Sequence, residues 1–147
     1  MLLRGTIIDL ETTGLSPHHD KVISLGVLHD DVYTVIQSSG NDEAQFTSRL
    51  KSLMDSVPRP TFAFNKPFEE SFLGVGVDFE LQNRRFESKR EAIRVEGVYD
   101  PFDGSGRAVP LEWEQFLIDH RRERLEKIIA HNIADLRYEL CLAIMRK

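Results

Sequence analysis

Thr6 to Leu10 is a short, Ile-rich run closed by acidic residues, the pattern of a buried strand. Lys21 to Leu28 and Asp31 to Gln37 read as two more strands. In the second, Val32, Thr34 and Ile36 alternate with Tyr33 and Val35, all residue types that favour a pleated surface. His29, Asp30 and Asp31 are polar and compact enough to turn the chain, so an antiparallel meander is expected first. Asp42 and Gln45 then stand at capping-box spacing, ahead of Phe46, Leu50, Leu53 and Met54 at helical intervals, with Pro58 and Pro60 ending the helix. Thr61 to Phe64 is another short strand. Pro67 suits a helical first turn, Phe68, Phe72 and Leu73 follow as its apolar positions, and Gly74 and Gly76 terminate it. Val77 to Leu81 is the last strand candidate.

Asp100 to Pro110 carries two prolines and two glycines and reads as a loop. From Leu111 the pattern is helical to the end. Trp113, Phe116 and Leu117 define one apolar face, and Leu125, Ile128, Ile129, Ile133, Leu136, Leu140 and Ile144 another. The order of elements predicts a mixed α/β layer structure, with three antiparallel strands followed by parallel strands reached through helices.

The 147 residues are expected to form a single domain spanning 1–147, long enough to bury a hydrophobic core. Hydrophobic and charged fractions of 41% and 29% are those of an ordinary globular chain. Nineteen Lys and Arg against twenty-four Asp and Glu give a net charge of -5, which argues against gripping nucleic acid by bulk positive charge but leaves metal ions or a local basic track open. Two basic runs qualify as such a track: Arg84, Arg85, Lys89, Arg90 and Arg94, and Arg121, Arg122 and Arg124. For any individual residue, a solvated face with nearby partners such as Glu87, Glu91 and Glu123 is the better reading of both runs. Cys141 alone excludes an intramolecular disulfide and a Cys-rich zinc site. No apolar run approaches the ~20 residues that span a bilayer and no secretory signal is visible, so a soluble, cytoplasmic protein is expected.

Asp9 and Glu11 are two apart at the end of the first strand, so alternation puts both carboxylates on one face and Leu10 on the other. Such a pair is either a solvated strand end or a site for a hard divalent ion, because adjacent carboxylates repel unless a cation intervenes. His131 and Asp135 are four apart and share one side of the last helix. Histidine ordinarily titrates near ~6.5, so a modest shift lets it take a proton from water at neutral pH.

Asp9-Leu10-Glu11-Thr12-Thr13-Gly14-Leu15 closely resembles the first motif of the DEDD (DnaQ-like) exonucleases of the ribonuclease H-like superfamily. Asn65-Lys66-Pro67-Phe68-Glu69-Glu70-Ser71-Phe72-Leu73 is similar to the second, with Glu69 where that family commonly has Asp and Glu70 as the fallback. His131-Asn132-Ile133-Ala134-Asp135 resembles the third, with histidine at the four-residue spacing that tyrosine-type members use. That form, with the Asp103-Gly104-Ser105 loop, Pro110 to Trp113 and Leu125 to Ile129, is similar to a less characterised branch of predicted exonucleases.

The resemblance implies a ribonuclease H-like fold with a mixed five-stranded sheet flanked by helices. It implies Asp9, Glu11, Glu69 and Asp135 as ligands of two Mg²⁺ or Mn²⁺ ions and His131 as general base. Thr12, Thr13, Leu15 and Asn65 are implied around the substrate, the 3′ end of DNA or RNA, cleaved by a two-metal mechanism. A module that binds nucleic acid without efficient catalysis, and a metal-dependent endonuclease, share the same residues. His18, His19, His29 and His120 read as surface residues, and Glu139 as a solvated acid or substitute ligand.

Overall fold

The computed structural model describes residues 3–82, 98–103 and 105–145. The basic run from Arg84 to Arg94 lies outside the described residues. Five strands form one sheet: β1 (Thr6–Thr12), β2 (Val22–His29), β3 (Val32–Gln37), β4 (Thr61–Ala63) and β5 (Phe79–Glu80). Their order is β3-β2-β1-β4-β5; β1, β2 and β3 pair antiparallel, and β4 and β5 join parallel to β1 and to each other. This is the mixed sheet expected from the sequence. Helices α1 (Glu43–Ser56), α2 (Lys66–Leu73), α3 (Ala108–Asp119) and α4 (Arg122–Met145) flank it. No helix among the described residues is long and apolar enough to cross a membrane.

The two faces of β1 have different partners. Ile8 and Leu10 join Leu25, Val27, Ile36, and Phe46 and Leu50 of α1 in one buried cluster. Ile7 joins Leu28 with Leu136, Leu142 and Ala143 of α4 in another. Side chains alternate along a strand, so Asp9 and Glu11 fall on the face of Ile7, the α4 face. The strand continues through both acids to Thr12, two residues past the expected Leu10, and every position in it is buried.

α4 comes close because β2 presents a glycine to it. Gly26 stands opposite Asp9, and a Cβ there would meet Leu136 Cδ1 at 2.8 Å and Asn132 Nδ2 at 2.9 Å. Gly26→Ala is therefore expected to destabilise the protein by about 1–3 kcal/mol, the usual penalty for overpacking, measured as a lower midpoint in urea. An unchanged midpoint would mean that α4 is free to move outward.

Several local expectations are corrected. The loop reading of Asp100 to Pro110 ends early, since α3 begins at Ala108. Pro110 is tolerated because the first turn of a helix has no intrahelical N–H bonds to lose. Helix does not run unbroken from Leu111: His120 takes a left-handed conformation, φ 55°, and caps α3 through its N–H to Phe116 O. Asp42 begins α1 without a side-chain cap; its Oδ1 accepts instead from Ser38 Oγ and Ser39 N. The buried face of α4 is also rotated from the apolar stripe. Ile133 and Ile144 are exposed, whereas His131, Asn132 and Glu139 are buried beside Ile128, Leu136 and Leu142. Glu139 is thus not solvated; its Oε1 accepts from Phe64 N at 3.0 Å, tying α4 to the end of β4.

Candidate metal centre

Asp9, Glu11, Glu69 and Asp135 line one cleft of about 480 Å³. They reach it from the middle of the sheet, the first turns of α2 and the central turns of α4. Asp9, Glu11 and Glu69 are only 2%, 6% and 3% exposed, which rules out the reading of Asp9 and Glu11 as a solvated strand end.

α2 supplies Glu69 in a defined register. Asn65 is its N-cap, with Oδ1 accepting from Phe68 N, Pro67 lies in the first turn, and Gly74 ends it in a left-handed conformation. Glu70, the fallback ligand, turns away: its Oε2 accepts from Val77 N at 2.8 Å and closes the connection toward β5.

α4 contributes three adjacent groups. Asn132 Nδ2 donates to Asp9 Oδ2 at 2.7 Å and to Asp9 O at 3.1 Å, while its Oδ1 accepts from Ser24 Oγ. His131, 1% exposed, is bound through Nδ1 to both oxygens of Asp100, at 2.9 and 3.0 Å. Its Nε2 stands 3.3 Å from Asp135 Oδ2 and 3.6 Å from Glu11 Oε1. Glu11, His131 and Asp135 each offer a ligand atom within 4.8 Å of the others, a candidate metal-binding group. Burial acts most strongly on His131 and opposes its charge. The Asp100 hydrogen bond and the charges of Asp135, Asp100 and Asp9 outweigh it, so the imidazole is held above its ordinary 6.5. A raised imidazole is the stronger base but is more fully protonated near neutrality.

Thr12, Leu15 and Asn65 also line the cleft, with Leu15 85% exposed. Thr13 does not line it. Its Oγ1 donates to Asp20 Oδ1 and accepts from Lys21 N, closing the turn after β1. Thr12 Oγ1 donates to Gly14 O in the same turn. Of the second basic run, Arg121 pairs with Glu123 on an exposed face, whereas Arg124 is half-buried against Glu112 and Asp119.

Sequence reasoning missed three residues. Asp100 belongs to no motif and meets His131 only in the fold. Asn132 is a defined position of the third motif, but no role is read for it there. Arg107, exposed at the start of α3, brings a positive charge to the cleft; only its place beside the Asp103-Gly104-Ser105 loop hinted at it.

Hard oxygen donors gathered from three elements fit a divalent cation, which relieves the repulsion that buried neighbouring carboxylates otherwise suffer.

No protein-family model and no curated protein matches the sequence. Among solved structures, the family B DNA polymerase of the hyperthermophilic archaeon Pyrobaculum calidifontis aligns with 95% of this chain at 17% identity and a TM-score of 0.64. The chain spans 24% of that polymerase. Brucella melitensis NrnC, solved also with bound Mg²⁺, aligns at 17% identity over 95% of this chain and 83% of its own, with a TM-score of 0.25. The polymerase likeness shows the fold alone, a mixed five-stranded α/β sheet flanked by helices.

Proposed function

We propose that the protein is a metal-dependent 3′–5′ exonuclease acting on single-stranded DNA or RNA. The observation that carries this reading is the convergence of Asp9, Glu11, Glu69 and Asp135 on one cleft, from segments separated by most of the chain. Polarity and substrate class rest on the resemblance of the three motifs. Two divalent cations held by these carboxylates would supply an acidic water and a stabilised leaving oxygen.

The chain's own residues supply binding and exclusion of water. Asp9 is clamped by Asn132, so its carboxylate needs little reorganisation when a cation arrives. Leu15, Phe64 and Phe68 give the cleft apolar walls suited to the face of a terminal base, and Thr12 and Asn65 border them. Arg107 offers a guanidinium for a phosphate that is not being cleaved. Arg107→Ala is accordingly expected to raise KM roughly tenfold with kcat nearly unchanged, the effect of losing one charge-assisted contact. A change in kcat alone would place Arg107 at the reacting phosphate instead.

The test is a 5′-labelled single strand incubated with Mn²⁺ or Mg²⁺. Stepwise shortening from the 3′ end, abolished by chelator, is the expected result. Internal cuts would identify an endonuclease, and retention of uncut strand a binding module.

A further inference from the structure

His131 is built into the metal-binding group itself. We propose that its Nε2 is a ligand of one cation, together with Glu11 and Asp135, and that Asp100 orients the ring for this; the inference rests on the metal-dependent reading above. The imidazole is 1% exposed and its two nitrogens are in different circumstances. Nδ1 is hydrogen-bonded to both oxygens of Asp100. Nε2, equally buried, makes no hydrogen bond, and is aimed between Asp135 Oδ2 at 3.3 Å and Glu11 Oε1 at 3.6 Å.

Those spacings are those of ligands. Donors about 2.1 Å from one octahedral ion lie about 3 Å apart when cis and about 4 Å when trans. Both distances fall in that range, so a cation can be accommodated with sub-ångström adjustments. A carboxylate on the far nitrogen is the usual support of a metal-bound histidine, because it fixes the tautomer and the ring plane. Asp100, with its side chain 4% exposed, fills that place.

Gly106, which lines the cleft, stands next to the ring, and a Cβ there would come within 3.8 Å of Nε2. One nitrogen and two carboxylate oxygens make a mixed donor set. Mg²⁺ favours oxygen, so this position should select Mn²⁺, Co²⁺ or another first-row ion.

The test measures binding, on the full chain, without substrate. Co²⁺ and Mg²⁺ are titrated by calorimetry into the wild type, Asp100→Asn and His131→Gln, each checked for folding by circular dichroism. The wild type should bind Co²⁺ more tightly than Mg²⁺. Asp100→Asn should weaken Co²⁺ about 10–100-fold, the usual cost of losing a carboxylate behind a ligating histidine, and His131→Gln at least as much. Because a buried histidine variant can fail to fold, the wild type is also loaded with Co²⁺ for proton NMR. A strongly shifted, solvent-exchangeable imidazole N–H supports ligation. Co²⁺ binding with no such signal, or equal affinity in folded His131→Gln, overturns the ligand role and leaves the nuclease reading standing. No binding of either ion to the wild type overturns both.

Discussion

Asp9→Ala is expected to lower metal-dependent cleavage by at least ~10³-fold, equivalent to about 4 kcal/mol of lost transition-state stabilisation, while the fold persists. The reason lies in the position of this carboxylate. It is 2% exposed, on the α4 face of the central strand, and shares a cleft with Glu11, Glu69 and Asp135. Removing one of several neighbouring carboxylates relieves repulsion. The metal-free variant should therefore melt close to the wild type, the relieved repulsion offsetting the lost bond from Asn132 Nδ2. Its stabilisation by Mn²⁺ should shrink, whereas the wild type should gain about 2.7 kcal/mol at a hundred times the dissociation constant. Acids kept for structure would behave oppositely, with melting lowered and cleavage spared. Cleavage at the wild-type rate would remove Asp9 from the metal centre.

Asn132→Ala carries the largest expected loss of stability, about 3 kcal/mol by urea denaturation at constant slope. Asn132 is fully buried and joins three elements, bonding Ser24 of β2, the Asp9 backbone and the Asp9 carboxylate. Alanine breaks all three bonds and leaves a small void at the tightest approach of α4 to the sheet. Activity should also fall about 10–100-fold, because the amide that aims a ligand has gone. A loss below 1 kcal/mol would mean that water replaces the amide and that the bridge is dispensable.

The motifs were legible because each couples polar residues to a local pattern that sets their direction. Asp9 and Glu11 share a face through strand alternation, and Glu69 is aimed by the Asn65 cap and Pro67. His131 and Asp135 are aligned by one helical turn. The three antiparallel strands followed two-residue periodicity and a polar turn at Asp30 and Asp31, both of which adopt positive φ.

What remained hidden depends on tertiary contacts. Apolar spacing points to Ile133 and Ile144 as buried, yet α4 turns His131, Asn132 and Glu139 inward because the sheet opposite offers Ser24, the Asp9 carboxylate and the Phe64 N–H. A stripe of hydrophobic residues does not reveal that partners for polar groups wait on the other side. Asp100 pairs with His131 across 31 positions, a contact with no local signature. His120 interrupts what reads as continuous helix, and Asp119 then accepts from Arg121 N and Arg124 as α4 begins.

Crystals soaked in Mn²⁺, with data collected at its absorption edge, address the metal centre most directly. Anomalous density is predicted in the cleft, about 2.1 Å from oxygens of Glu11 and Asp135, as expected for a six-coordinate ion among carboxylates. A cleft without density at saturating Mn²⁺, or ions bound only at surface acids, would contradict the account.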